Sequence, residues 1–229
     1  MDPKKLFFDE RLRGMCIYCG CTPETRDHVP SKVLLDKPYP QNLPVVPCCA
    51  RCNADFSLDE EYTACFIEYV ITGANSAKEI ERARIRETLL RNPNLDARIR
   101  AARQESDTGE IQWSPEVVRI RNVMRKLAAG HIYFEYGISM LPQDPIVEVF
   151  PIAQLDNPSE FFDTVDFPLW PEIGSHAFNQ VVTGRGNSGT DNWYEIQAGN
   201  SAYLVSQVGG NSARIFLRDY LACEVRWLG

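Results

Sequence analysis

Apolar positions follow two rhythms along this chain, and the change between them falls near Pro142. The segment LDEEYTACFIEYVIT (58–72) spaces its apolar residues as a helix does, with acidic residues in the first turn and Gly73 closing it. Ser76 followed by Glu79 reads as a capping box for a helix to about Arg91 that carries Ile80, Ala83 and Leu90 inward. On that helix Lys78, Arg82 and Arg86 fall at i, i+4 and i+8, a single exposed basic stripe that suits tracking nucleic-acid phosphates and equally suits a solvated face. Asn92-Pro93-Asn94 interrupts the pattern, and Leu95 to Gln104 predicts another short helix. After a polar turn at Asp107-Thr108-Gly109, Pro115 opens a third helix to about Gly130, with Ile120, Val123, Met124 and Leu127 on its apolar face.

Beyond Pro142 the rhythm shortens to the strand period. Runs at Ile146–Val149, Phe178–Val182, Trp193–Ile196, Ala202–Val208 and Ala213–Leu217 predict an antiparallel sheet, with Leu217 to Trp227 as a closing strand or helix. Turn residues at Gly184, Gly186-Asn187, Gly199-Asn200 and Gly209-Gly210-Asn211 separate the later runs. Residues 1–57 show neither rhythm; Cys and Pro dominate, and Asp9 to Gly14 is room for one helical turn. The fold class expected is α+β, in three sections: a cysteine-rich module over 1–57, a helical section over 58–141 and a β-rich section over 142–229.

Composition narrows the class. Apolar content of 44 % and charged content of 24 % suit a soluble globular protein, and no run of 18 apolar residues suggests a membrane span. The opening MDPKKLFFDERLRG lacks the apolar core of a signal peptide, so a cytoplasmic protein is expected. A net charge of −7 argues against a nucleic-acid partner only until its distribution is read. Residues 131–229 hold 12 acidic against 4 basic residues, whereas residues 75–130 hold 12 basic against 8 acidic. The acidic C-terminal section is therefore a candidate surface for a protein partner, and the front half stays open to nucleic acid.

Six of the eight cysteines lie between Cys16 and Cys52. Cys16/Cys19 and Cys49/Cys52 are two C-x₂-C knuckles, the spacing that seats paired thiolates on one zinc ion. Cys48 adjoins Cys49 and Cys21 follows Cys19 by two, so other ligand sets can be written; only Cys49/Cys52 repeats the spacing of the first knuckle. Zinc held by four thiolates is coordinatively closed and structural. It would pin the intervening segment, which holds Arg26-Asp27-His28-Val29-Pro30-Ser31 and Gln41-Asn42-Leu43-Pro44.

The order C-x₂-C, Asp27-His28-Val29-Pro30, Asn42-Leu43, then C-x₂-C-Asn53 resembles the zinc-containing form of the HNH endonucleases over roughly residues 14–57. The resemblance implies a β-hairpin and helix around a divalent ion, a treble-clef-like ββα-metal module with zinc at its base. It implies that His28 is the general base, that Asp27 and Asn53 hold a catalytic Mg²⁺ or Mn²⁺, and that Asn42 braces the histidine loop. It further implies hydrolysis of nucleic-acid phosphodiesters, DNA in preference to RNA, in a setting such as restriction or phage defence. One departure stands out: family members often carry glycines between the histidine and the middle asparagine, and residues 31–41 have none. The chemistry agrees with the residue types. An imidazole with an ordinary pKa of about 6.5 can take a proton from water near neutral pH. Carboxylate and amide oxygens suit a hard cation that stabilises charge on a phosphate. The competing expectation is a zinc-stabilised nucleic-acid or protein binding module without catalysis. His131, Tyr133, Phe134 and Tyr136 read as core or helix-end residues, and His176 has no role assigned.

Overall fold

The architecture follows from how three long-range packings use these local patterns. It is described from a computed structural model, over residues 14–156, 161, 171–183, 193–207 and 209–228. The helical turn expected from Asp9, apart from Gly14, and the turns at Gly184 and Gly186-Asn187 lie outside the described residues.

An antiparallel hairpin of β1 (Thr25–His28) and β2 (Val45–Cys48) leads directly into α1 (Ala50–Thr72). The helix begins eight residues earlier than the apolar rhythm predicts, because its cap is a cysteine. Cys49 Sγ accepts the Cys52 amide, so the second knuckle is itself the first turn of the helix. Gly73, at φ 64°, closes it as expected.

The helix expected over 76–91 is two pieces. Ser76 and Glu79 do form the predicted capping pair, but it starts only a 3-10 turn over Ala77–Glu79. The chain then runs extended through Ile80 and Arg82 before α2 (Ala83–Arg91) begins. Ile80 is fully buried and Arg82 is drawn to acidic partners, so tertiary contacts override the local signal. Within α2 the inward residues are Ile85 and Leu89; Leu90 is exposed. Next, α3 (Pro93–Ala101) starts at the interruption itself, with Asn92 as cap and Pro93 at its first position. It ends three residues before Gln104. Residues Arg103–Glu105 (β3) instead pair with Ile111–Trp113 (β4) across the predicted Asp107-Thr108-Gly109 turn.

The third long helix, α4 (Val117–Tyr136), buries the predicted face of Ile120, Val123, Met124 and Leu127 and continues one and a half turns past Gly130. Gly130 is where α4 meets Val29, the residue after β1: a Cβ there would lie 2.6 Å from Val29 Cγ2. On its other side α4 packs on a five-stranded antiparallel sheet of β5 (Ile146–Pro151), β6 (Tyr194–Gln197), β7 (Ser201–Ser206), β8 (Asn211–Leu217) and β9 (Leu221–Trp227). The strand order is β5-β9-β8-β7-β6, so the closing segment is a strand lying between β5 and β8. The strand expected at Phe178–Val182 is helical instead, within α5 (His176–Thr183). Ser175 accepts the Phe178 amide and Ala177 backs onto the core, so a cap and an i, i+4 pattern decide a segment whose apolar residues fit both periods. The chain is thus mixed α+β. One hydrophobic cluster runs from Ile17 through α1 and α4 to Trp227 and joins all three sections.

Candidate metal centre and the hairpin above it

The first knuckle is a tight loop closed by Cys16 N–H to Cys21 O (2.7 Å) and Gly20 N–H to Cys16 O (2.8 Å), with Gly20 at φ 77°. Ile17 N–H donates to Pro47 O on β2 (3.2 Å), which hangs this loop beside the start of α1. The sulfurs of Cys16, Cys19, Cys49 and Cys52 consequently lie within 4.8 Å of one another, and Cys19 and Cys49 are 3.6 Å apart. Zinc bonds of about 2.3 Å in a tetrahedron require sulfurs about 3.8 Å apart. The cluster could therefore hold a structural zinc, on the set that the spacing favoured. Cys48 is buried and turned to Cys49 O (3.3 Å), Cys21 is exposed, and neither belongs to the cluster. Burial pushes the Cys16 and Cys52 thiols up, whereas the Cys21 amide, assisted by the neighbouring sulfurs, draws Cys19 down to about 6. Assembling four thiolates here thus calls for a compensating cation.

Above the knuckles, strand alternation turns Asp27 and His28 to opposite faces of β1. His28 is half-buried. Asp27 faces inward and is 5 % exposed. Its carboxylate accepts Tyr18 Oη–H at 2.8 Å and Lys126 Nζ–H at 2.9 Å. The same ammonium donates to Glu60 of α1, and the Lys126 side chain has no solvent exposure. Burial raises Glu60, with Lys126 opposing the rise. For Lys126 burial works against the charge, but Glu60 and Asp27 outweigh it and its pKa is raised. Tyr18 is held far above its ordinary range by burial and by Asp27.

Asn53, in the first turn of α1, donates to Thr25 Oγ1 (3.4 Å), which itself donates to Cys48 O (2.8 Å). Thr25 stands two places before Asp27 on the same face of β1, so Asn53 approaches the right side of the strand. Asn42 lies on the exposed loop between the strands, and its amide meets His176 Nε2 (3.4 Å) at the start of α5. The brace next to His28 is backbone, Val29 N–H to Pro44 O (2.9 Å).

A catalytic Mg²⁺ needs an octahedral oxygen shell with several waters. Asp27 offers none of that here, being sealed from solvent and shared between Tyr18 and an ammonium. The residues as arranged do not fit a divalent ion.

The expected basic stripe is not formed, because the helix is interrupted between Lys78 and Arg82. Lys78 is exposed. Arg82 is drawn inward, its side chain 10 % exposed, and pairs with Asp36 (2.5 Å) and Glu68 (3.4 Å). Arg86 donates to the carbonyls of Ile80 and Glu81, closing the extended break. Arg218, from the turn between β8 and β9, adds its own contacts to Asp36 (3.2 Å) and Glu68 (2.7 Å). This ring of two arginines and two carboxylates ties the hairpin loop to α1 and to the sheet.

Two groupings escaped the sequence reading. Lys126 stands three places after Val123 and next to Leu127, on the inward side of the helix, which was the available hint that it turns inward. The second grouping centres on Glu135, fully buried, which accepts Tyr203 Oη–H and the Ala177 amide (2.8 Å). Tyr203 Oη meets His176 Nδ1 at 2.8 Å, and His131 stacks on the Tyr203 ring at 3.7 Å. Burial lifts Glu135 to about 7 and lowers His131 well below its ordinary value. His131, Tyr133 and Tyr136 are buried, as the core reading expected.

Comparison with protein-family models, with curated proteins and with solved structures finds no significant match to this chain.

Proposed function

We propose that this protein is a nucleic-acid phosphodiester hydrolase of the HNH kind, acting on DNA, with its ββα unit built on the cysteine cluster. The observation that carries this reading is the hairpin–helix itself. One unit of β1, β2 and α1, with four clustered sulfurs at its base, carries His28 on the strand face opposite the buried Asp27, and Asn53 on the first turn of the helix. Zinc on those sulfurs supplies no chemistry and holds the strand and helix together. His28, as an imidazole on the strand face away from the buried ion network, takes the proton of the attacking water. Asp27 and Asn53 set the strand and helix face beside it. Lys78 is the exposed cation among the three basic residues of the expected stripe and is the one free to meet a phosphate.

A second reading, a zinc-stabilised binding module, is favoured by one observation: the Asp27 carboxylate is already neutralised by Lys126. One experiment separates the two. Plasmid and single-stranded DNA are incubated with the parent and with His28→Ala, in Mg²⁺, in Mn²⁺ and in EDTA. The hydrolase reading expects parent cleavage and a loss of about 10²–10⁴ in rate on removing the base, with zinc content and DNA affinity retained. DNA binding without cleavage under all three conditions, or equal rates for parent and variant, would make the binding module the better account.

A further inference from the structure

We propose that Lys126 is a tethered cation standing where a divalent ion would sit between β1 and α1, so that this chain takes up no Mg²⁺ or Mn²⁺ at Asp27 while the ammonium is in place. Asp27 comes from β1 and Glu60 from the third turn of α1, and both side chains are about 6 % exposed. Two carboxylates brought together from different elements are the oxygen donors a hard cation would use. What bridges them is an ammonium from a third element, α4, donating to both. Its side chain has no solvent exposure, so it is neither a surface charge swung in by chance nor one free to swing out.

Charge balance supports the same assignment. Two buried carboxylates without a cation would leave uncompensated charge in a low-dielectric site, a large destabilisation. Lysine meets that need with one positive charge and three rotatable donors. A divalent ion would supply two positive charges, and with Lys126 also present it would face a like charge within bonding distance of its own ligands. The ammonium and the metal are therefore alternatives. Lys126 keeps its place through packing: Gly130, one turn further along α4, admits Val29 of the hairpin so closely that the helix is locked against it.

A cleft of about 190 Å³ lies beside the lysine, with Tyr18, Phe56, Asn122, Arg125 and Lys126 among its lining residues. Shortening Lys126 would open that cleft onto Asp27 and Glu60 and turn the pair into a divalent-cation site. The inference does not rest on cleavage activity, since metal uptake can be read directly.

The test uses the full chain loaded with zinc. Free Mn²⁺ is counted by electron paramagnetic resonance during titration of the parent, Asp27→Asn, Lys126→Ala, Lys126→Met, and Lys126→Ala combined with Asp27→Asn. The parent should take up no Mn²⁺ that Asp27→Asn removes. Lys126→Ala should gain one Mn²⁺ per chain, bound at least tenfold more tightly than anything the parent holds, and the double variant should lose it. A parent that binds one Mn²⁺ through Asp27 overturns the proposal. So does a folded, zinc-containing Lys126→Ala protein that gains none. Should Lys126→Ala fail to fold, the longer apolar stem of Lys126→Met preserves packing, and the parent titration decides the first claim alone.

Discussion

Replacing Arg82 by alanine tests whether the segment after the 3-10 turn is a binding face or a structural tie. In the fold Arg82 contributes to two ion pairs of unequal worth. Its partner Asp36 is 40 % exposed, so that contact is worth about 1 kcal/mol at most. Glu68 is 3 % exposed, and breaking a buried pair typically costs about 3–5 kcal/mol. That cost is reduced here because Arg218 remains 2.7 Å from Glu68. A net loss of about 2 kcal/mol follows, which for a chain of this size lowers the melting temperature by about 4–8 °C. Arg82→Lys should recover only part of this, since an ammonium lacks the planar fork that reaches two carboxylates. Arg82→Glu should be worse than alanine, because it adds a third carboxylate to Asp36 and Glu68. Thermal and urea denaturation of the four proteins measure the series. A melting temperature for Arg82→Ala within about 1 °C of the parent would refute the reasoning and return Arg82 to the solvent-exposed set. Any DNA affinity lost in Arg82→Glu must accordingly be judged against the fraction still folded.

Two further outcomes can be checked independently. Cys52→Ser should lose bound zinc after dialysis and loosen the hairpin–helix unit, whereas Cys48→Ser and Cys21→Ser should retain it; elemental analysis of the three variants measures this, and zinc loss in Cys48→Ser would redraw the ligand set. Glu135 carries a proton up to about pH 7 in the folded chain, against about 4.5 ordinarily, so the folded state binds the extra proton and stability falls as pH rises through that window. The gap corresponds to about 3 kcal/mol, and Glu135→Gln, which never ionises, should remove that fall and leave between pH 5 and 7 the opposite rise contributed by the depressed His131; a slope unchanged from the parent in urea titrations would contradict the assignment.

Much of the N-terminal site was legible because its information is local. Two knuckles of equal spacing specify paired thiolates through chain geometry alone, and the four sulfurs do converge. The helical middle, the apolar face of α4 and the alternating strands after Pro142 were readable for the same reason: each is a short period repeated along one segment. The misplaced boundaries mark where a local rule met a stronger distant one. A cysteine does not look like a helix cap until the opposing knuckle is beside it. The helix from Ser76 breaks because Ile80 is wanted in the core and Arg82 at two carboxylates far away in sequence. Phe178–Val182 carries residues that suit either period, and Ser175 with the core contact of Ala177 settled it as helix. The chemistry of Asp27 was furthest from reach. Its neighbours in sequence describe a metal ligand, and its neighbour in space, 99 positions away, is a buried ammonium. Sequence by itself determined which side chains are available at the hairpin. Tertiary structure decided which of them still have a free charge, because a Coulombic partner held at under 3 Å in a dry interior outweighs anything the local motif can specify.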